Sequence, residues 1–314
     1  MELKNIIDNY FLTERSVLQE FIASDLKKRN IQLYIKRDDL IHSEVSGNKW
    51  RKLKYSLLQA QHEKSDGILT FGGAYSNHLL ATASACNALS LNCIGIVRGE
   101  ELTAESNSTL KRCQELGMKL VFIDRMLYNL RNDSEYLKEL RIDYPGFYII
   151  PEGGANYFGM IGCQEIWNEL PQDLNHIFVA QGTSTTSCGL LLGLPKQTKL
   201  HVIPVLKGYD SIAEMKRLLY LATFDHELSN EMLQSIEVHV NYHFGGYGQH
   251  NQELISFINQ IYQNHNLPLD HVYTAKAFYG LLKEIEDQKY NNTKVLFLHT
   301  GGLQGSIVKF DQII

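Results

Sequence analysis

The chain has 314 residues, with 30 lysines and arginines against 35 aspartates and glutamates, which gives a net charge of −5. At about 150 residues per domain, this length predicts two domains or one large α/β domain. The negative balance argues against the basic surface that binds phosphate backbones, so we predict no nucleic-acid partner. With 44% hydrophobic residues and 6 prolines, the composition is that of a folded globular protein.

The N-terminal segment and the cysteines indicate the compartment. Charges at Glu2, Lys4 and Asp8 interrupt any apolar leader, and no run of about 18 uncharged apolar residues occurs. We therefore expect a cytoplasmic protein without a membrane partner. The five cysteines are an odd number and have no CxxC spacing. This pattern predicts reduced, buried thiols in preference to disulfides or zinc ligands.

Strand and helix patterns alternate along the chain. Short apolar runs predict strands at 31–36, 67–71, 92–98, 119–123, 147–151, 175–180, 200–206, 237–242 and 294–299. Helical periodicity or an Ala- and Leu-rich composition predicts helices at 49–62, 77–89, 106–116, 129–141, 159–170, 189–194, 211–222, 252–265 and 273–288. The alternation predicts an α/β fold whose mostly parallel sheets are covered by helices on both faces.

Polar, glycine-rich loops follow four of the predicted strands, with the sequences FGGAYSNH, PEGGANYFG, GTSTTSCG and HTGG. Ligands of parallel sheets bind beyond the carboxyl ends of the strands, so four such loops predict a shared cleft. GTSTTSCG precedes an apolar helix, and its N–H groups and hydroxyls there predict an anion site. The alternatives are a Ser/Thr-rich helix cap in this loop and a cap formed by Ser76 or Asn77 in FGGAYSNH.

Lys49, in SGNKWRKL, lies at the predicted start of a helix, where the helix dipole lowers the pKa of an amine. A lysine with a lowered pKa can act as a nucleophile toward a carbonyl group. The alternative is a solvated lysine on a basic helix that also carries Arg51, Lys52 and Lys54. The local pattern does not decide between these two readings.

A metal site is a further possibility, because His239 and His243 are four residues apart, a spacing that suits a metal on a helix. The segment from Val238 to Tyr242, however, predicts a strand. Two side chains four residues apart on a strand lie about 13 Å apart, which is too far for one ion. We therefore predict no metal ligands in this chain.

Seven motifs occur in the order and approximate spacing found in one family: SGNKWRKL, FGGAYSNH, PEGGANYFG, GTSTTSCGL, FGGYG, VYTAKAFYGLL and LHTGG. From Leu33 to Gly302 the chain resembles the D-cysteine desulfhydrase and 1-aminocyclopropane-1-carboxylate (ACC) deaminase family. The resemblance implies pyridoxal 5'-phosphate as the cofactor and fold type II, the tryptophan synthase β-like α/β fold. It implies two domains, each with a mostly parallel sheet flanked by helices: a large cofactor-binding domain of residues 1–51 and 161–314, and a small domain of residues 52–160. It also implies a homodimer.

The same resemblance implies roles for single residues. Lys49 would bind the cofactor aldehyde and act as the catalytic base. Asn77 would hydrogen-bond the cofactor's ring hydroxyl, and Ser76 would hold the substrate carboxylate or assist proton transfer. Tyr247 and Tyr273 would flank the ring and the substrate, although packed core aromatics are the alternative outside this family.

The remaining implied contacts are with the cofactor itself. Thr274 would face its pyridine nitrogen, and Thr300 would lie beside it. The phosphate would be wrapped by Gly182, Thr183, Ser184, Thr185 and Thr186. This loop has fewer glycines than is usual in the family, so its hydroxyls would replace some backbone N–H groups. Leu79 and Leu80 stand where Thr-Arg is frequent, which leaves substrate selection at that loop open.

Two positions divide the activities of the family. Desulfhydrases carry Tyr-Thr and His-Thr-Gly-Gly, where ACC deaminases carry Tyr-Glu and His-Leu-Gly-Gly, and this chain has Thr274 and Thr300. A carboxylate beside the pyridine nitrogen keeps it protonated and strengthens the electron sink that cyclopropane opening needs. A threonine hydroxyl gives a weaker sink, which suffices for loss of a thiol from a substrate that has an α-proton.

The resemblance and these two positions lead to a main prediction and several alternatives. The main prediction is β-elimination from a small D-amino acid, D-cysteine above all, which gives pyruvate, hydrogen sulfide and ammonia. One alternative is ACC deamination to 2-oxobutyrate and ammonia, and another is elimination from D-serine or β-chloro-D-alanine. A pyridoxal-phosphate-binding protein with little turnover is the non-enzymatic alternative, against which the full set of acid and base residues argues.

Overall fold

The computed structural model describes residues 12–287 and 290–310. Glu2, Lys4 and Asp8, on which the leader argument depends, and the predicted helix end at Gln288 lie outside them. The described strands are β1 Leu18–Phe21, β2 Gln32–Lys36, β3 Gly67–Gly72, β4 Asn92–Arg98, β5 Met118–Ile123, β6 Phe147–Ile150, β7 His176–Gln181, β8 Lys199–Pro204, β9 Ile236–Val238 and β10 Lys294–Leu298. The described helices are α1 Ser24–Lys28, α2 Asn48–His62, α3 Asn77–Ala88, α4 Ser108–Glu115, α5 Arg125–Asn129, α6 Ser134–Asp143, α7 Tyr157–Gln164, α8 Thr185–Leu192, α9 Ser211–Thr223, α10 His226–Met232, α11 Gln252–His265 and α12 Thr274–Glu286.

The strands form two sheets. One has six strands in the order β1-β2-β10-β7-β8-β9, and the other has four in the order β5-β4-β3-β6. Among the described strands, neighbours pair in parallel except β1, which is antiparallel to β2. The four-stranded sheet comes from one continuous stretch of chain, 67–150, whereas the six-stranded sheet combines both ends of the described chain. The carboxyl ends of the parallel strands in each sheet share an edge, where the site loops lie.

Each sheet is buried on both faces, because successive strand residues point to opposite sides. In β7, Phe178 joins an apolar cluster with α11 and α12, while Ile177 and Val179 join one with α7, α8 and α9. In β3, Ile68 packs with α2, α3 and α4, and Leu69 packs with α5 and α6. The predicted α/β architecture of mostly parallel sheets between helices is confirmed.

Several predicted helix boundaries are wrong, and side-chain caps explain two of them. The predicted helix at 129–141 is two helices, because Asp133 accepts the N–H groups of Glu135 and Tyr136 and starts α6 anew. Similarly, Asn107 accepts the N–H of Leu110 and starts α4 two residues later than predicted. The predicted helix at 159–170 ends as α7 at Gln164 and continues as a 3-10 helix. Three short elements, β1, α1 and α10, were not predicted.

The strand predicted at 237–242 is present but shorter than predicted. β9 pairs with β8 at only three residues, from Ile236 to Val238. A 3-10 helix from Val240 to Tyr242 follows, so His239 and His243 do not lie on one strand. The 13 Å separation that the strand geometry predicted therefore does not apply.

The cysteines and the membrane-span expectation can both be compared with the structure. All five cysteines are free thiols and buried, as predicted. Within the described residues, none of the helices combines the length and the apolar character needed to span a bilayer.

Candidate active site

The chain enters α2 through a turn that only glycine fits. Gly47 has a φ of +62°, and a Cβ at this position would overlap the carbonyl oxygen of Thr300. The N–H of Asn48 donates to the same oxygen at 3.3 Å. The first turn of α2, which carries Lys49, is thereby held against the turn that follows β10. Thr300 contributes to this contact through its backbone.

The Lys49 side chain is partly buried, and its amine has a partner within the protein. It donates to Asn48 Oδ1 at 2.7 Å, while Asn48 Nδ2 donates to Thr186 Oγ1 at 2.9 Å. Burial, and then the charge of Lys52, lower the pKa of Lys49 to about 7, and Asp270 opposes this shift. A substantial fraction of the amine is therefore neutral at pH 7 and can attack a carbonyl group. The reading of Lys49 as a solvated surface lysine is wrong.

The loop at 182–184 leads directly into α8, which begins at Thr185 and not at Gly189 as predicted. Ser184 adopts a left-handed conformation, with φ +59°, that turns the chain into the helix. The first N–H groups of a helix have no carbonyl partner within it, so those of Thr185, Thr186 and Ser187 are available to a ligand. Ser187 Oγ is also buried and, among the described residues, has no hydrogen-bond partner. The start of α8 therefore suits an anion.

The other hydroxyls of this loop have partners in the protein. Thr183 Oγ1 lies 3.2 Å from Thr185 Oγ1, and Ser184 Oγ lies 3.0 Å from the hydroxyl of Tyr209. Gly182 lies close to a site tyrosine, because a Cβ there would lie 3.1 Å from Cε1 of Tyr273. These contacts hold the loop against Tyr209 and Tyr273.

Lys52 is a residue of this site that the sequence reasoning missed. Its side chain is buried, and among the described residues the structure pairs no carboxylate with its amine. Burial lowers the pKa of Lys52, while Cys163 and Cys188 oppose the shift. Cys188 belongs to α8, so a positive charge lies close to the helix whose N-terminus suits an anion. A phosphate dianion is complementary to this combination.

The loop after β3 brings the second sheet to the site. Ser76 Oγ accepts the N–H of Leu79 at 3.2 Å, so Ser76 is the N-cap of α3, as the alternative reading proposed. A Cβ on Gly302 would lie 3.3 Å from Asn77 Nδ2, which places Asn77 beside the turn after β10. Burial, and then the charges of Lys49 and Lys52, lower the pKa of His78 to about 3. The imidazole is therefore neutral.

Tyr247 and Tyr273 pack against each other, with ring centroids 6.0 Å apart and an interplanar angle of 76°. The Lys49 amine lies 5.9 Å from the centroid of the Tyr273 ring. Burial raises the pKa of both phenols, and the contact between them raises that of Tyr273 further while lowering that of Tyr247. Both hydroxyls therefore keep their protons at neutral pH, and Tyr247 releases its proton more readily.

The loop that carries Tyr247 is held by a buried lysine. The Lys276 amine donates to the carbonyl oxygen of Gly246 at 2.7 Å. Burial lowers the pKa of Lys276 to about 8. Gly245, Gly246 and Gly248 all have positive φ, which lets the chain fold back over this contact. Lys276 is therefore a positioning residue for Tyr247.

Thr274 is fully buried and coupled to a carboxylate that the sequence reasoning missed. Its hydroxyl donates to Asp270 Oδ1 at 2.6 Å and accepts the N–H of Asp270 at 2.9 Å. Asp270 also accepts the N–H groups of Val272, Tyr273 and Thr274 at 2.7–2.9 Å. Thr274 is therefore not the isolated neutral hydroxyl that the sequence motifs suggest, which corrects the prediction of a weak electron sink. Because the hydroxyl proton is donated to Asp270, Thr274 can offer a ring nitrogen only a lone pair.

His299 orients the HTGG turn through both of its ring nitrogens. Its Nε2 lies 2.7 Å from the carbonyl oxygen of Pro268, and its Nδ1 accepts the N–H of Gly301 at 3.3 Å. The turn in this orientation lies beside Gly47 on one side and Asn77 on the other. These contacts bring Lys49, Asn77, Tyr273 and the loop at 182–186 together near the turn after β10, where the sequence predicts the shared cleft.

Comparison with known proteins agrees with this arrangement. The family model of pyridoxal-phosphate dependent enzymes matches residues 20–301. The bifunctional D-cysteine desulfhydrase/1-aminocyclopropane-1-carboxylate deaminase of Arabidopsis thaliana, a mitochondrial protein, is 32% identical over 310 residues, which cover 90% of this chain and 75% of the plant protein. A D-cysteine desulfhydrase of Yersinia pestis is 30% identical over 286 residues, which cover 86% of each chain.

A solved structure supports the same conclusion at the level of the fold. The crystal structure of an ACC deaminase homologue superposes with a TM-score of 0.76 and 28% identity, covering 97% of this chain and 96% of the homologue. An O-acetylserine dependent cystathionine beta-synthase from Helicobacter pylori shares the fold at 17% identity and a TM-score of 0.64. The chain therefore belongs to the pyridoxal-phosphate dependent enzymes of fold type II.

Proposed function

We propose that this enzyme eliminates hydrogen sulfide from D-cysteine and releases pyruvate and ammonia. The observation that carries the proposal is the Lys49 amine, with a pKa of about 7, which lies 5.9 Å from the ring centroid of Tyr273, against which the protonated phenol of Tyr247 packs. A base and an acid on one cleft wall are what α-proton removal and departure of a thiol require. The desulfhydrase names of two relatives support the choice of substrate.

The cleft has the residues that would hold the cofactor. Lys49 would bind the aldehyde, and the start of α8 together with Lys52 would bind the phosphate, where Ser187 Oγ is a buried donor without a partner among residues 12–287 and 290–310. Asn77 and Thr274 would bind the ring hydroxyl and the ring nitrogen. When bound, pyridoxal phosphate withdraws electrons from the α-carbon of an amino acid.

The chain's own groups would carry the proton transfers. The substrate carboxylate would be held by Ser76 and the free N–H groups at the start of α3. Lys49, once released by the incoming amine, would take the α-proton. Tyr247 would give its proton to the departing sulfur, since its pKa is raised less than that of Tyr273. Water then converts the released enamine to pyruvate and ammonia.

ACC deamination is the second candidate, and Asp270 favours it. A buried carboxylate that accepts the Thr274 hydroxyl proton at 2.6 Å places a negative charge one hydrogen bond from the proposed nitrogen contact. Thr274 would then accept a hydrogen bond from a protonated nitrogen. This would stabilise the stronger electron sink that ring opening needs. The bifunctional plant relative and the ACC deaminase homologue are consistent with this second activity.

One experiment separates the candidates. The purified, cofactor-saturated enzyme is given equal amounts of D-cysteine and ACC, and the 2-oxo acids are identified. Pyruvate with sulfide supports the desulfhydrase, and dominant 2-oxobutyrate supports the deaminase. If neither product forms, D-serine and β-chloro-D-alanine are tested next, and pyruvate from either would keep β-elimination but replace the substrate.

The non-enzymatic alternative, a cofactor-binding protein with little turnover, is tested with Lys49→Ala. This variant should lose both the visible absorbance of lysine-bound cofactor and all turnover, because no other residue replaces the amine. Turnover that persists in Lys49→Ala would overturn the assignment of the base. Wild-type enzyme with the absorbance but without any product would support the alternative.

We also propose that the enzyme acts as a cytoplasmic homodimer on a small amino acid. The family resemblance supports the dimer. The charged N-terminal segment supports the cytoplasm, whereas the plant relative is a mitochondrial protein. Light scattering of the holoenzyme should give twice the mass of one chain. A mass equal to one chain across the micromolar range would contradict the dimer.

A further inference from the structure

A cluster of imidazole and carboxylate groups lies in the six-stranded sheet, on strands β8 and β9. His201 of β8 and Glu237 of β9 are register partners, so their side chains lie on the same face of the sheet. The N–H of His239 donates to the carbonyl oxygen of Val202, which places His239 just beyond the end of β9. The sequence reasoning paired His239 with His243, but the structure brings His239 to His201.

Three ligand atoms of this cluster form a compact triangle. His201 Nδ1 lies 2.9 Å from His239 Nε2 and 3.4 Å from Glu237 Oε2, and the third edge, His239 Nε2 to Glu237 Oε2, is 3.9 Å. Ligand atoms about 2.0–2.1 Å from a tetrahedral zinc ion lie about 3.3 Å from each other. The three edges of the triangle, 2.9, 3.4 and 3.9 Å, lie on both sides of this ligand-to-ligand distance. One ion could therefore contact all three atoms after shifts of a few tenths of an ångström.

The outer nitrogens of both histidines have partners of the kind that orient metal ligands. His239 Nδ1 lies 3.1 Å from Glu284 Oε1, which also accepts the hydroxyl of Tyr242 at 2.8 Å. His201 Nε2 lies 3.0 Å from His176 Nδ1. With each ligand histidine donating its outer N–H to these acceptors, both inner nitrogens present lone pairs to the same point. Lys199 binds the other Glu237 oxygen, Oε1, at 2.8 Å and leaves Oε2 toward the histidines.

The cluster packs against the core of the sheet and lies away from the residues that would hold the cofactor. Phe178 stacks on His201 with a centroid distance of 4.2 Å and an angle of 6°, and His201 is fully buried. Glu284 lies on α12, about 15 Å along the helix from Thr274 at its start. An ion here would therefore join β8, β9 and, through Glu284, the helix that carries the site residues.

We propose that His201, Glu237 and His239 bind one divalent transition-metal ion of the zinc class. Two imidazole nitrogens and one carboxylate oxygen are ligands that Zn²⁺ accepts, and they leave a fourth position for water. Without an ion, a hydrogen bond between His201 and His239 satisfies the two facing nitrogens. Metal binding replaces that hydrogen bond, and its effect is to cross-link the strands. The site has no part in the elimination chemistry.

The test measures zinc binding by the holoenzyme after chelator treatment and desalting, in competition with a chromophoric chelator and without thiol substrate. We expect one zinc ion per chain. Glu237→Gln, a change of a side chain that is 42% exposed, should weaken binding at least about tenfold. His62→Gln, at the exposed end of α2, is the matched control and should bind zinc like the wild type.

Two further readouts distinguish this site from adventitious binding. The unfolding midpoint should rise with zinc in the wild type and in His62→Gln, but not in Glu237→Gln. Cobalt should give visible bands of tetrahedral nitrogen and oxygen ligation. Wild-type zinc affinity in both Glu237→Gln and His239→Gln, absence of stoichiometric binding, or thiolate-to-cobalt bands would each overturn the proposal.

Discussion

The lowered pKa of Lys49 controls how the enzyme takes up its cofactor, because only the neutral amine attacks an aldehyde. The rate at which cofactor-free protein reacts with pyridoxal phosphate should therefore rise as the pH increases through about 7. Stopped-flow absorbance at a series of pH values measures this profile. A rate that is flat from pH 6 to pH 9 would contradict the lowered pKa.

Lys52 contributes to that pKa, since its charge is the second largest cause of the shift. Lys52→Gln should move the midpoint of the profile to higher pH, and it should also weaken cofactor affinity by about tenfold or more. Lys54→Gln is the matched control, because Lys54 is paired with Glu165 at 2.9 Å. The control should keep both the midpoint and the affinity.

Asp270 is the second residue whose removal has a defined result. In Asp270→Asn, an amide must replace a carboxylate whose two oxygens each accept two donors, so the amide nitrogen faces two donors. We expect the free energy of unfolding to fall by about 1–3 kcal/mol in denaturant titrations. If Asp270 supports the electron sink, the turnover of ACC falls more than that of D-cysteine. Unchanged stability would show that the four hydrogen bonds are not made in solution.

Sequence patterns could have indicated both Lys52 and Asp270. Lys49 and Lys52 are three residues apart and so share a helix face, and a face that buries one lysine also buries the other. Asp270 accepts N–H groups two, three and four residues further along the chain, a local pattern that is typical of aspartate in a turn. The hydrogen bond between Asp270 and Thr274 could not be predicted from the family motifs, because Asp270 precedes the segment VYTAK, which contains Thr274.

At the scale of elements, strands and their loops were predicted better than helix starts. The start of α8 was placed at Gly189 because a run of serine and threonine resembles a loop. The structure instead uses one left-handed residue, Ser184, to begin the helix four residues earlier. This difference matters for function, because it moves Thr185 and Thr186 from a loop to the helix N-terminus, where N–H groups are available.

The turn into α2 permits a sharp test. Gly47→Ala should lower the free energy of unfolding by more than about 2 kcal/mol, because a Cβ overlaps the Thr300 carbonyl as well as straining the backbone. Gly208→Ala is the matched control, since Gly208 has a φ of +72° but nothing within 4 Å of its Cβ position. The control should lose about 1 kcal/mol from strain alone. Equal losses in the two variants would contradict the close contact.

For the whole molecule, the alternating pattern predicted the parallel sheets, whereas β1 was missed. β1 has four residues, LQEF, of which only Phe21 is buried, so its periodicity is too short to detect. Its antiparallel pairing with β2 depends on contacts distant from any local signal. The mutual placement of the two sheets is likewise a tertiary property, seen only in contacts such as that of Asn77 with Gly302.

Because both sheets contribute to the cleft, cofactor binding should stabilise the entire chain. At a free cofactor concentration 100 times the dissociation constant, the gain is about 2.7 kcal/mol. Calorimetry should show a higher unfolding midpoint for the holoenzyme, and a single transition. The increase should be smaller for Lys52→Gln at the same cofactor concentration. A second, cofactor-independent transition would mean that one sheet unfolds separately.

The carboxamide of Asn48 connects the two ends of the cofactor site through one side chain. Its oxygen accepts the Lys49 amine and its nitrogen holds Thr186 at the start of α8. When an aldehyde takes that amine, the oxygen loses a donor while the nitrogen keeps its acceptor. Asn48 therefore contacts both the lysine that would bind the aldehyde and the helix start that would bind the phosphate. A substitution at one end of the site would affect the other end through this side chain.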